Sequence, residues 1–155
     1  MSRAFVKEPE ADALFEDLPE RLVSDHPNLV TSEGLALIET ELARLRGEHA
    51  NAQGANDRAT LARTARDLRY WSSRRASAQV VAPRDDATQV HFGSTVTIER
   101  DDGRRQTFRI VGEDEADPAR GMLSHASPLA RALFGKAVGD TIAAGQSQAE
   151  VLEIK

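Results

Sequence analysis

The sequence predicts an α+β protein in which an antiparallel helical hairpin, a short coiled coil, is followed by a small β domain with one short helix. Three observations predict it. Leu35, Ile38, Leu42 and Leu45 recur at alternating three- and four-residue steps, the spacing of a helix with one apolar seam. A polar stretch, NAQGAND (51–57), interrupts this pattern before Leu61, Thr64 or Ala65, Leu68, Trp71 and Ala78 resume it, so two helices meet at a tight turn. Beyond PRDDA (83–87) the period changes to two: Val90, Phe92, Val96 and Ile98 alternate with polar residues, as half-buried strands do. A chain of 155 residues has room for one ordinary domain or two small ones. The composition changes divide it into a leader over 1–30, a hairpin over 31–82 and a β domain over 83–155.

The leader is acidic, with Glu8, Glu10, Asp12, Glu16, Asp17, Glu20 and Asp25 outnumbering Arg3, Lys7 and Arg21. Pro9, Pro19 and Pro27 break any long helix. A short helix fits 11–16, and the remainder is extended, anchored where Leu22, Val23, Leu29 and Val30 find a groove; a tail without a defined role is the alternative. Thr31 or Ser32 supplies the N-cap of the first hairpin helix, and Glu33 suits the positive end of its dipole. The second helix carries Arg58, Arg63, Arg66, Arg69, Arg74 and Arg75 against one acid, Asp67. Such a row is either a solvated helical face or a surface for a phosphate backbone or an acidic protein.

In the β domain, DDG (101–103) makes a hairpin turn into a strand over 106–111. A strand over 122–125, a helix over 127–134, a connection GKAVGD (135–140) and strands over 141–144 and 149–154 complete it. A twisted sheet wrapped on one short helix is the simplest way to bury these apolar faces.

The chemistry is sparse. The absence of cysteine excludes a disulfide framework, a thiolate metal site and a cysteine nucleophile. A net charge of −5 argues against coating nucleic acid by bulk electrostatics. No signal peptide and no membrane-spanning run is legible, which predicts a soluble, cytoplasmic protein. His26, His49, His91 and His125 stand far apart, without metal-ligand spacing. The glycines form neither a phosphate-binding loop nor a dinucleotide fingerprint, and Ser94, Ser124 and Ser127 lack a nucleophile-elbow context. The acidic run over 113–117 reads as a solvated loop. These features describe a two-part interaction protein without a cofactor of its own.

The segments VHFGSTVTI (90–98), DDG (101–103), FRIVGEDEAD (108–117), SPLARAL (127–133), GK (135–136) and VGD (138–140) resemble, in order and spacing, the C-terminal domain of the Gre transcript cleavage and elongation factors, GreA and GreB. In the hairpin, VTSEGL (30–35) with EL (41–42) resembles the family's entry into its coiled coil. ASAQVV (76–81) resembles its exit. Between them this chain is shorter than the usual family hairpin by roughly twenty residues, or about 15 Å of reach at 1.5 Å per residue.

The resemblance implies an FKBP-like C-terminal domain that holds the rim of the RNA polymerase secondary channel, with the hairpin running toward the active site. It assigns polymerase binding to Ser124, Ala126, Ser127, Pro128 and Arg131, although Ala126 stands where the family often has Asp or Asn. On the charge reading of the second helix, Arg58, Arg63, Arg66 and Arg69 face nascent RNA and DNA within the elongation complex. Any magnesium ion would be shared with the polymerase: family tips carry two acids in a G-D-x-x-E-N motif, whereas QGANDR (53–58) offers only Asp57, with Glu48 one or two turns back. Asn56 or Asp57 also suits the N-cap of the second helix. The implied protein is a monomeric accessory factor acting on RNA polymerase rather than an enzyme, a regulator of elongation whose tip lacks the two acids that the family uses for transcript cleavage. One alternative is a competitor of cleavage factors, similar to the nucleoside diphosphate kinase regulators. Another is an FKBP-type prolyl isomerase, for whose pocket the domain offers Phe92, Phe108 and Phe134.

Overall fold

The structure, a computed structural model, describes residues 18–155, so the helix expected over 11–16 lies outside the described residues. Helices α1 (Ser32–Ala55) and α2 (Arg58–Ser77) form the hairpin. Thr31 is the N-cap of α1: its Oγ1 accepts a hydrogen bond from the Gly34 N–H at 2.9 Å. Ile38, Leu42, Leu45 and Ala52 are buried along one side, the predicted seam extended by about two more turns.

The turn is much shorter than the expected 51–57. Helix α1 continues to Ala55, and only Asn56 and Asp57 separate it from α2. Two features make this possible. Asn56 adopts a left-handed conformation (φ 52°), and the Asn56 and Asp57 N–H groups bond to the Gln53 and Ala52 carbonyls at 3.3 and 2.9 Å, closing the helix in a Schellman motif. Burial of Ala52 meanwhile holds the weak helix formers Asn51 and Gly54 in register. At its other end α2 stops at Ser77, before Ala78, because the chain then pairs as a strand: β2 (Gln79–Val80) runs parallel to β1 (Leu29–Val30). The fully buried residues of α2 are Thr64 and Arg74, while Leu61, Leu68 and Trp71 are half-buried. Thr64 donates to the Thr60 carbonyl at 2.7 Å and meets His49 Nδ1 on α1 at 2.7 Å, tying the two helices together.

The chain forms two compact units. One holds Glu39–Ala76 with the described leader up to Ser24; the other holds Asp25–Ile38 and Ser77–Lys155. In the second, strands β3 (Thr95–Arg100), β4 (Arg105–Val111), β5 (Met122–Ser124), β6 (Thr141–Ala144) and β7 (Ser147–Ile154) form one sheet in the order β5-β4-β3-β7-β6. Within this five-stranded sheet only β4 and β5 pair in parallel, and a bulge in the β3–β7 ladder lies between Thr97 and Ile98. Helix α3 (Pro128–Leu133) closes the core, where Val96, Ile98, Ile110, Leu133 and Val151 are inaccessible to solvent. Val90 and Phe92 are buried as their alternation predicts, yet neither lies in a strand. Phe92 belongs to a tight turn in which the Ser94 N–H bonds to the His91 carbonyl at 3.0 Å and Gly93 supplies φ 88°, and Val90 just precedes it, its N–H bonded to the Lys136 carbonyl at 2.9 Å. No helix among the described residues is long and apolar enough to cross a membrane.

Candidate docking face and hairpin tip

The loop after β5 is ordered by its own polar groups. The Ser127 N–H bonds to the Ser124 carbonyl at 3.0 Å, and Ser124 Oγ accepts from the Ala126 N–H at 3.2 Å. Ser127 then caps α3, its Oγ accepting from the Ala130 N–H at 3.2 Å, with Pro128 at the first helical position. Pro128 and Arg131 are exposed, while Ser124, Ala126 and Ser127 are half-buried. All five predicted docking residues therefore sit on one loop and the first turns of one helix.

Beside them Ser127, Pro128 and Leu129 form one wall of an open groove of about 330 Å³ whose other wall is Arg100 and Ala143, Ala144 and Gly145 of the β6–β7 turn. Both serine hydroxyls serve the backbone, and His125, buried beneath the loop, sets its ring edge-on to Phe92 at 5.6 Å. This arrangement presents a rigid surface. The aromatic residues available for a proline pocket serve the core instead: Phe92 is buried in it, and Phe108 and Phe134 pack against it.

The acidic run over 113–117 is more than a solvated loop. Thr31 Oγ1 donates to Glu115 Oε2 at 2.6 Å while accepting from Gly34, so the carboxylate lies at the N-terminus of α1. A Cβ on Gly34 would stand 2.7 Å from Glu115 Oε2, so a side chain here would crowd the carboxylate. Gly112 is similarly tight: a Cβ there would meet the Leu29 carbonyl oxygen at 2.7 Å. Sequence reasoning missed this latch, because Thr31 and Glu115 lie 84 residues apart in the chain.

At the hairpin tip Asp57 caps α2. Its Oδ1 accepts from the Thr60 N–H at 3.1 Å and its Oδ2 from the Thr60 hydroxyl at 2.7 Å. These two hydrogen bonds, the hydroxyl's first, hold the Asp57 carboxyl below its ordinary pKa of 3.8. Glu48 is engaged elsewhere, paired with Arg63 across the hairpin and with Arg44 at 3.0 Å. Among the described residues no group of three or more metal-ligating side chains comes together.

The basic row of α2 is largely neutralised within its own unit. Arg66 pairs with Asp67 at 3.0 Å, Arg63 with Glu48, and Arg75 with Glu39 at 3.0 Å. Arg69 forks onto Glu20 of the leader, its Nε 2.9 and 3.1 Å from the two carboxylate oxygens, and Arg58 is exposed at the start of the helix. Of the expected anchors of the leader, Leu22 and Val23 are 95% and 44% exposed, whereas Leu29 packs against the β-domain core and Val30 is buried. The described residues before Asp25 are held instead by Glu20 and by Arg21, whose guanidinium lies 3.9 Å from the Tyr70 ring centre and 3.6 Å from Asp67.

A capped helix beside an open groove in one unit and a helical hairpin in the other define an α+β protein of two parts. Comparison with known proteins narrows that class. The family model described as "Transcription elongation factor, GreA/GreB, C-term" matches residues 84–155. Transcription elongation factor GreB of Neisseria meningitidis serogroup B is 42% identical over 96 residues, which cover 58% of this chain and 59% of that protein. Transcription elongation factor GreA of Verminephrobacter eiseniae is 34% identical over 134 residues, covering 84% of this chain and 81% of the relative. The chain belongs to the GreA/GreB family of transcription elongation factors. Its match thus spans less than two thirds of the length of the Neisseria relative and four fifths of the Verminephrobacter one. Among solved structures, the GreA factor homolog 1 protein of Thermus thermophilus aligns with a TM-score of 0.42 at 20% identity, covering 84% of this chain and 99% of its own.

Proposed function

We propose that this protein is a cytoplasmic, monomeric regulator of transcription elongation that binds RNA polymerase at its secondary channel and does not stimulate transcript cleavage. The observation that carries the second half of this reading is the state of Asp57. It is the only carboxylate in the two-residue turn, and both its oxygens are committed to Thr60. A tip that retains a magnesium ion beside the polymerase centre needs paired carboxylates with free lone pairs. These residues do not fit that role.

Docking rests on the family membership together with the pre-ordered loop. Ser124, Ala126, Ser127, Pro128 and Arg131 form the contact surface, and because their backbone is already fixed, little ordering entropy is lost on binding. Arg58, Arg63, Arg66 and Arg69 of α2 face nascent RNA and DNA in the complex, where phosphates exchange for the carboxylates that now pair with several of them. The absence of a second tip acid favours one further reading, in which the protein occupies the channel rim and excludes the active cleavage factors.

A reconstituted assay with stalled, backtracked RNA polymerase tests this function. The protein should leave the RNA length unchanged by itself and slow shortening by an active cleavage factor in proportion to its concentration. RNA shortening that disappears in Asp57→Ala would establish a cleavage factor with a reduced tip and reject the proposal.

A further inference from the structure

The contact between leader and α2 has the chemistry of a ligand in its site. Glu20 presents a carboxylate to the Arg69 fork, the same planar geometry by which arginine receives a phosphate. One residue on, the flat Arg21 guanidinium lies over Tyr70 at 3.9 Å and within 5.7 Å of the Trp71 ring, and the two rings meet edge to face at 5.3 Å. A cation on an aromatic face occupies the place where an unstacked base would lie. Asp67 completes the set, 3.6 Å from Arg21 and 3.0 Å from Arg66, and so holds the leader's cation and a cation of the helix at one carboxylate. Most of these contacts are exposed, the side chains of Glu20 and Arg69 being 60% and 57% accessible, so each is weak and reversible in water.

We infer that the segment carrying Glu20 and Arg21 is an intrachain strap that occupies the arginine and aromatic face of α2 in place of single-stranded RNA, and that RNA binding requires its displacement. Glu20 stands in for a phosphate and Arg21 for a base. The inference rests on the proposed nucleic-acid-facing role of the α2 arginines and adds a competitor, supplied by the chain itself, that lowers their affinity for RNA. Salt loosens both the strap and the RNA, so the strap's effect is largest at low ionic strength.

The test uses the full chain and a fluorescein-labelled oligouridine, followed by anisotropy. Glu20→Gln leaves the fold intact at an exposed position and should tighten binding about two- to fivefold at low salt, the range an exposed ion pair supplies. Adding Arg69→Ala should abolish that gain. Trp71, the single tryptophan, gives an independent readout: its emission should change on Arg21→Ala and, in the unaltered protein, on addition of RNA. If the unaltered protein binds RNA and Glu20→Gln binds it no better, the strap is rejected and the arginine reading survives. If neither protein binds RNA, both are rejected.

Discussion

Asp57 has a structural duty, the capping of α2 through the Thr60 N–H and hydroxyl. Its carboxyl is held below 3.8 by Thr60, so the folded state binds the proton less readily than the unfolded chain does. The stabilisation is therefore complete above that ordinary value and is lost as pH falls through the lower, folded one. Acidification from about pH 5 to about pH 2 should accordingly fray the start of α2. Asp57→Asn should remove this residue's share of the acid sensitivity while preserving the cap, because asparagine caps about as well, and circular dichroism across the titration checks it. The cap was legible in the sequence, since Asn56 and Asp57 both suited a helix start. The division of labour between them was not: Asn56 ends one helix with φ 52° and Asp57 begins the next.

At the scale of elements, the hairpin depends on a narrow seam. Leu45 is fully buried whereas Leu37 is 36% exposed on the same helix. Leu45→Ala should cost about 2–5 kcal/mol of unfolding free energy and Leu37→Ala about 0.5 kcal/mol or less, as measured by denaturant titration. Periodicity located the apolar half of this seam because a helix in water must turn its leucines inward. It failed at Arg74, counted with the surface arginines but only 1% exposed, because composition does not tell which member of a basic row lies on the packed side. Alternation likewise found Val90 and Phe92 as core residues and misassigned their backbone, since burial constrains the side chain and a turn can deliver it as well as a strand. Glu115 was misread for a related reason. Its partner Thr31 lies 84 residues away, and no local pattern encodes a contact of that range.

For the whole molecule, the surface proposed for docking is ordered before any partner arrives. Arg131 is exposed one turn after the Ser127 cap, so Arg131→Glu should leave thermal stability within about 0.5 kcal/mol. The same change should weaken competition with a cleavage factor on backtracked polymerase several-fold. Equal loss of stability and competition would show instead that the substitution damaged the fold. The resemblance of the C-terminal half located the loop and helix that carry this proposed surface, whereas the leader's contacts on α2 required coordinates. The short parallel pairing of β1 and β2 has a consequence for the order of folding. The Gln79 and Val81 N–H groups bond to the Asn28 and Val30 carbonyls at 2.8 and 2.9 Å, joining points about fifty residues apart in the chain. An open loop of that length would close slowly, but two helices that zip locally bring its ends together first. The ladder is thus a late event, and the hydrogen exchange of those two amides should be a direct clock for hairpin opening: their protection should fall in Leu45→Ala in step with the helices, while that of Val151 in the sheet core is retained.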